Sequence, residues 1–314
     1  MPPLRIVFCG TPAFAVPSLV ALAADPAFRV EGVVTQPDRP AGRGREIQKS
    51  PVKVASQERG IAVLQPAKIK TPEGAAYFER AKPDVAVIIA YGQIISKELL
   101  AIPRLGWVNV HGSLLPKYRG AAPIHWAIAN GDTVTGLTTM QVEPALDSGP
   151  MLLKYETHVA DDETSPQLYE RLAQAAAPLI VETLKRLDAG TVTPEAQDAS
   201  QMTLARPLKK EDGRIDWSLT SGAIYNRMRA FTPWPGAFTI FRGTQCSLWG
   251  APQVCESTGD RAGTISLRSG DVFVECGRGT TLRIETVQRE GRKKISAREF
   301  ANGERLAPGE SFGR

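Results

Sequence analysis

The stretch that decides the fold runs Trp107-Val-Asn-Val-His-Gly-Ser-Leu-Leu-Pro-Lys-Tyr-Arg-Gly-Ala-Ala-Pro123. An alternating apolar strand passes directly into a polar loop that carries glycine. Asn109 and His111 are two residues apart, a spacing that puts both side chains on one face of an extended strand. They are the last side chains before Gly112 breaks the strand. A neutral donor and a titratable donor therefore stand together at the carboxyl end of a strand, where open α/β sheets bind their ligands. Such a pair suits a reaction in which negative charge develops on a carbonyl oxygen. Taken singly, each residue has a plainer explanation. A His on a strand is commonly structural, and an Asn at a strand end is commonly a cap or turn residue.

Around this strand the first half of the chain alternates short apolar runs with helical patterns. Strands are predicted at Leu4–Cys9, Arg29–Thr35, Val85–Ala90, Trp107–His111, Leu137–Val142 and Met151–Tyr155. Helices are predicted at Phe14–Ala24, Pro51–Arg59 and Ser96–Ala101, with a long closing helix at Ser165–Leu187. Thr164 or Ser165 can cap that last helix, and Pro166 suits its first turn. Near-continuous apolar strands alternating with helices imply a Rossmann-like parallel sheet covered on both faces. The first strand-to-helix turn, Phe8-Cys-Gly-Thr-Pro-Ala-Phe14, has one glycine where a dinucleotide fingerprint needs three, so NAD binding is not supported. Residues 188–206 lack periodicity and are read as a linker. Beyond Pro207, one helical stretch at Gly222–Phe231 precedes five short β-patterned runs, at Gly236–Phe241, Gln245–Gly250, Gly263–Leu267, Val272–Glu275 and Leu282–Val287. That spacing suggests a small barrel of OB type, a fold that often binds single-stranded or irregular nucleic acid. The expected organisation is thus a catalytic domain over residues 1–187, the linker, and an OB-like domain over 207–314.

With 314 residues the chain is long enough for two cores. No apolar run approaches the ~18 residues of a membrane span. Strand-forming residues begin at Leu4, which argues against a targeting peptide and for a cytoplasmic protein. Cys9, Cys246, Cys255 and Cys276 are scattered, and with 3 His residues in the chain they argue against a zinc site. Charge is uneven. Residues 1–199 hold 20 Lys and Arg against 21 Asp and Glu, whereas residues 200–314 hold 18 against 12. The whole net charge of +5 therefore comes from the C-terminal third, which points to a polyanionic partner or to a merely solvated surface.

The loop Ser113-Leu-Leu-Pro-Lys-Tyr-Arg-Gly120 resembles the folate-loop signature of the 10-formyltetrahydrofolate-dependent formyltransferases. The segment Met140-Gln-Val-Glu-Pro-Ala-Leu-Asp-Ser-Gly-Pro-Met151 resembles that family's Leu-Asp-Thr/Ser-Gly element. Without the family, Asp147 reads as a turn residue before glycine. The resemblance makes Asn109, His111 and Asp147 the catalytic set. It assigns Ser113, Leu114, Leu115 and Pro116 to one wall of the folate site, with residues 88–94 as another. The roles of Lys117 and Arg119, toward folate carboxylates or phosphates, stay open. The co-substrate implied is 10-formyltetrahydrofolate, with no metal.

A second segment separates branches of the family. Thr35-Gln-Pro-Asp-Arg-Pro-Ala-Gly-Arg-Gly-Arg-Glu-Ile-Gln-Lys-Ser-Pro-Val-Lys53 is too long and too rich in Pro and Gly for a routine connector. It resembles the insertion loop of the branch whose acceptor is charged initiator tRNA. That makes Arg39, Arg43 and Arg45 candidate tRNA contacts. Amino-sugar and glycinamide ribonucleotide formyltransferases lack this element. The resemblance extends over nearly the whole chain, including Gly10–Phe14, Ala90–Gly92, Glu211–Trp217, Arg229–Gly236 and Phe300–Glu310. Departures occur at Ile95-Ser96 and at Arg206-Pro207-Leu208, the second leaving the linker's path open. A monomer without DNA partners is expected. The competing readings are an amino-sugar nucleotide formyltransferase and a catalytically silent folate- or tRNA-binding protein.

Overall fold

The structure, a computed structural model, describes residues 2–41, 46–253, 257, 259–307 and 309–313. Arg43 and Arg45 lie outside these. The chain divides into two units, one of Met1–Pro123, Val134–His158 and Gln167–Ala205, the other of Ile124–Thr133, Val159–Pro166 and Arg206–Arg314.

In chain order the elements up to residue 205 are β1 (Leu4–Gly10), α1 (Val16–Ala24), β2 (Phe28–Val34), β3 (Arg39–Ala41), β4 (Glu46–Gln48), α2 (Pro51–Gln57), β5 (Val63–Leu64), α3 (Pro72–Ala81), β6 (Val85–Ile89), α4 (Lys97–Leu100), β7 (Trp107–His111), β8 (Arg119–Gly120), α5 (Pro123–Ala129), β9 (Val134–Gln141), β10 (Met151–His158), α6 (Ser165–Asp188) and β11 (Leu204–Ala205). Seven strands form one sheet in the order β10-β9-β7-β6-β1-β2-β5. The five strands from β5 to β7 are parallel, joined by β1–β2, β1–β6, β2–β5 and β6–β7 pairings. The sheet is not wholly parallel as expected. β9 runs antiparallel to β7, and β10 antiparallel to β9. The reason lies in the β7–β9 connection. His111 pairs with Thr138 and Val108 with Gln141, so the chain re-enters the sheet at the end it left and needs no crossover.

β7 is therefore the strand where the sheet changes from parallel to antiparallel. Its anchor is Trp107, 1% exposed, whose indole N–H donates to the Leu99 carbonyl at 2.9 Å. The Trp107 ring lies 5.0 Å from that of Phe78 on α3, within a core that includes Val7, Val34 and Ala86. Burying an aromatic of this size contributes about 1.5–3 kcal/mol. The polar sequence of α3 hides it from a periodicity search, because only Gly74 and Phe78 are buried along it.

The second unit contains α7 (Ser221–Ala230), β12 (Phe238–Phe241), β13 (Thr244–Gln253), β14 (Ile265–Arg268), β15 (Asp271–Cys276), β16 (Thr280–Arg289), β17 (Ile295–Ser296) and α8 (Ala297–Glu304). Five strands pair antiparallel in the order β12-β13-β16-β15-β14, and β17 joins β16. Among the described residues β12 and β14 are not paired with each other. The expected barrel is thus present as an antiparallel sheet without a closing ladder. Its core includes Trp217, Phe241, Phe300 and Phe312, with the Phe241–Phe300 rings 5.2 Å apart.

Candidate active site

The pleat of β7 puts Trp107, Asn109 and His111 on one face. Asn109 lies between Ile88 of β6 and Met140 of β9. Its half-buried carboxamide makes no protein hydrogen bond among the described residues. His111 is 6% exposed. Its Nε2 is 2.9 Å from the Tyr118 carbonyl oxygen. A carbonyl only accepts, so Nε2 must carry the proton. That leaves Nδ1, which lies 3.7 Å from Oδ2 of Asp147, as the nitrogen that faces the site.

Asp147 does not end a strand. It sits six residues past β9, in the β9–β10 loop, with φ of 45°. Non-glycine residues are uncommon in this left-handed region, Asp being one of the few that enters it readily. Its Oδ2 accepts the Gly120 N–H at 2.9 Å. Gly120 has φ of 120°, and a Cβ there would come within 2.7 Å of the Ala205 carbonyl oxygen. Glycine alone fits, and with it the N–H is aimed at Asp147. Gly149 is equally confined, since a Cβ would lie 1.9 Å from the Gln141 carbonyl oxygen.

The segment read from sequence as a linker is bound to these loops. Glu195 and Met151 exchange backbone hydrogen bonds at 2.8 Å. β11 pairs with β8, Tyr118 N–H donates to the Thr203 hydroxyl at 2.8 Å, and Arg119 N–H donates to the Thr203 carbonyl at 2.9 Å. Arg119 is occupied, its guanidinium donating to Oε1 of Gln197. Lys117 is exposed.

The 35–53 segment begins and ends as a pinned ribbon. β3 pairs antiparallel with β4. At its base the Thr35 and Ser50 hydroxyls are 2.8 Å apart. Lys53 Nζ donates to Asp38 at 2.5 Å, and Gln65 Nε2 donates to the other Asp38 oxygen at 2.7 Å. The Lys53 and Gln65 hydrogen bonds hold the Asp38 carboxyl below the usual carboxylate range. Between the ribbon and the carboxyl ends of β1, β2 and β6 lies a cavity of about 850 Å³. Its lining includes Arg39, Lys49, Lys68, Lys70 and residues 90–94. Among the described residues Arg39, Lys68 and Lys70 have no acidic partner.

The chain as a whole is similar to known proteins. The family described as Formyl transferase matches residues 4–184, and the Formyl transferase, C-terminal domain matches residues 207–305. Proteins named methionyl-tRNA formyltransferase from Solibacter usitatus and Geobacter metallireducens are each 47% identical over 310 residues, covering 99% of this chain and 99% of each relative. The chain belongs to the methionyl-tRNA formyltransferase family. Among solved structures it resembles WlaRD, a sugar 3N-formyl transferase crystallised with dTDP and 5-N-formyl-THF, with a TM-score of 0.66 at 17% identity over 92% of this chain and 99% of that one. It also resembles HypX from Aquifex aeolicus in complex with tetrahydrofolic acid, with a TM-score of 0.59 at 16% identity over 96% of this chain and 48% of that one. At such identities the likeness concerns the fold.

Within this family member the residues assigned to the folate wall divide. Leu115 is 1% exposed and packs with Met140 and Met151. Ser113 is fully buried, and its hydroxyl donates to the Lys117 carbonyl at 2.6 Å. Leu114 and Pro116 stay half-buried, and Ile94 is 79% exposed at the cavity. Sequence reasoning missed Gln197, Gly120, Lys68 and Lys70. Gly120 had a signal, standing within the quoted stretch; the other three had none. Among the described residues, no group of three or more His, Cys, Asp or Glu is placed to hold a metal ion, and no helix is long and apolar enough to cross a membrane.

Proposed function

We infer that the chain transfers the formyl group of 10-formyltetrahydrofolate to the α-amine of methionyl-initiator tRNA, for translation initiation. The observation that carries this reading is the meeting of His111, from the end of β7, with Asp147, from the β9–β10 loop, on the strand face that also carries Asn109, whose carboxamide has no protein hydrogen bond among the described residues, in a chain that is 47% identical to named methionyl-tRNA formyltransferases. As the amine adds to the formyl carbon, charge grows on the formyl oxygen. Asn109 offers an N–H there. His111 offers Nδ1–H, which exists only in the imidazolium because Nε2–H is given to Tyr118. Two such donors are worth several kcal/mol, about 2.7–4 for each in comparable sites. The attacking amine must shed a proton. Asp147 Oδ1, with no protein hydrogen bond among the described residues, is the acceptor, directly or through a water; the tetrahedral intermediate then collapses as the C–N10 bond breaks, and N10 takes up a proton and leaves as the amine of tetrahydrofolate.

Residues 90–94, with Leu114 and Pro116, supply the apolar surface that a flat pterin needs. The cation-lined cavity under the β3–β4 ribbon suits the phosphates of the acceptor end, and the basic residues 207–314 suit the remainder of the tRNA. Residues 1–187 thus serve as the catalytic domain and 207–314 as the tRNA-binding one, in a cytoplasmic monomer. The test supplies formyl-folate with either charged initiator tRNA or a nucleotide-linked amino sugar. Formylation of Met-tRNA alone is expected. Formylation of the sugar alone would overturn the acceptor, and of neither would overturn the activity.

A further inference from the structure

Gln197 belongs to a segment without sequence periodicity, yet its carboxamide makes four hydrogen bonds into the catalytic loops. Nε2 donates to the carbonyls of Asp147 at 2.9 Å and Gly149 at 2.8 Å. Oε1 accepts from Arg119 Nε at 2.9 Å and from Arg119 Nη2 at 2.7 Å. The chemistry of the partners sets the orientation of the amide. A guanidinium can only donate and the two carbonyls can only accept, so a flipped amide would lose all four bonds. Arg119 is itself fixed by the backbone bond from its N–H to Thr203. The next residue, Gly120, gives its N–H to the Asp147 carboxylate.

Asp147 is therefore held from both ends by one dipeptide. Gly120 takes the side chain directly, and Arg119 takes the main chain through Gln197. This matters because the Asp147 backbone is left-handed, a conformation uncommon for L-residues that Asp adopts more readily than most when local hydrogen bonds hold it. Without the Gln197 bonds the loop can relax, and the carboxylate then turns away from His111 Nδ1. We propose that Gln197 is a positioning residue that fixes the Asp147 carboxylate for proton transfer, oriented by Arg119. The proposal rests on the reading of Asp147 as the proton acceptor. It also makes the interdomain segment part of the catalytic machinery and not a spacer.

Glutamate at 197 is a sharp probe. It keeps the shape and improves the contact with Arg119, but it sets an anionic oxygen against two carbonyls. Steady-state formylation of Met-tRNA would be measured for wild type, Gln197→Ala, Gln197→Glu, Asp147→Asn and the Gln197→Ala/Asp147→Asn double variant. Both Gln197 variants should lower kcat by roughly 10- to 100-fold, the cost of a catalytic group misplaced by about 1 Å. The KM values for folate and tRNA should stay within about twofold of wild type, since ground-state binding does not use Asp147. In the Asp147→Asn background, Gln197→Ala should cost nothing further, because residues acting as a unit are not additive. Wild-type kcat in both Gln197 variants would overturn the proposal. So would an undiminished Gln197→Ala effect in the Asp147→Asn background, or a rise in both KM values together with a lower unfolding midpoint. Wild-type turnover by Asp147→Asn alone would instead overturn the reading of Asp147, and this proposal with it.

Discussion

The loop around Asp147 and the ribbon around Arg39 lie in the same unit and are held in opposite ways. At Asp147 each constraint is internal. Gly120 holds the carboxylate, Gln197 holds the backbone, and Tyr118 holds the imidazole opposite. In the ribbon the constraints stop at the base, with Thr35 against Ser50 and Asp38 against Lys53 and Gln65. Beyond the base, Arg39 is exposed, and it and Lys49 line the cavity. The difference fits the roles proposed for the two regions. Proton transfer and oxyanion stabilisation require groups fixed before the substrate arrives, because reorganisation during reaction is costly. Gripping a polyanion requires cations that no protein carboxylate has already neutralised. One region fixes its backbone and one carboxylate oxygen through internal hydrogen bonds, whereas the other leaves Arg39 without an acidic partner among the described residues.

Substitution at the first region should have the largest effect on rate. His111→Ala and Asp147→Asn are each expected to lower kcat by roughly 10²–10³-fold or more, while still unfolding cooperatively. His111→Ala also removes the hydrogen bond from Nε2 to the Tyr118 carbonyl, a loss of about 0.5–1.5 kcal/mol in stability. Near-normal turnover in either folded variant would remove the distinction, since the held loop would then be structural only.

An intermediate effect is expected at the ribbon. Arg39→Ala should reduce kcat/KM for Met-tRNA by an amount equivalent to roughly 1.5–3 kcal/mol, the worth of one charge-assisted contact. The folate dissociation constant should not change. If Arg39 meets a phosphate, the slope of log affinity against log salt should shrink by about 0.7–0.9. Equal efficiency with tRNA in the variant would make the ribbon a passive connector. The sequence nominates Arg43 and Arg45 for the same measurement.

The smallest effect concerns the base of the ribbon. The Asp38 carboxyl is held below its ordinary value, first by the Lys53 hydrogen bond and then by that of Gln65. A lowered folded-state pKa adds stability that is present above the unfolded value, ~3.9, and is lost as pH falls through the folded value. Wild type should therefore exceed Asp38→Asn in unfolding midpoint at pH 7, and the gap should narrow below about pH 4. A gap that stays constant across this range would show that the base is not held by an ionised Asp38.

Much of this protein is legible in its sequence. The period of two in Trp107–His111 marks a strand and places Asn109 beside His111, because alternation along a strand is a local property. The helix at Ser165–Asp188 is marked by its polar start and by Pro166 in the first turn. The length and charge of residues 35–53 mark an element that a plain sheet does not need. Each of these depends on neighbours in the chain.

The tertiary structure decided what depends on distant neighbours. Whether β9 and β10 run parallel or antiparallel to β7 is set by where the β7–β9 connection lies, and strand patterning is blind to direction. Leu115, apt for a pocket wall by sequence, is buried because β9 and β10 bring Met140 and Met151 against it, and Ser113 is buried with its hydroxyl bonded to the Lys117 carbonyl. Asp147 meets His111 across 36 residues of chain, and Gln197 meets Asp147 across 50. A glutamine among Thr, Ala, Asp and Ser carries no local pattern. It acquires a role only when folding sets its one donor group against two carbonyls and its one acceptor against a guanidinium.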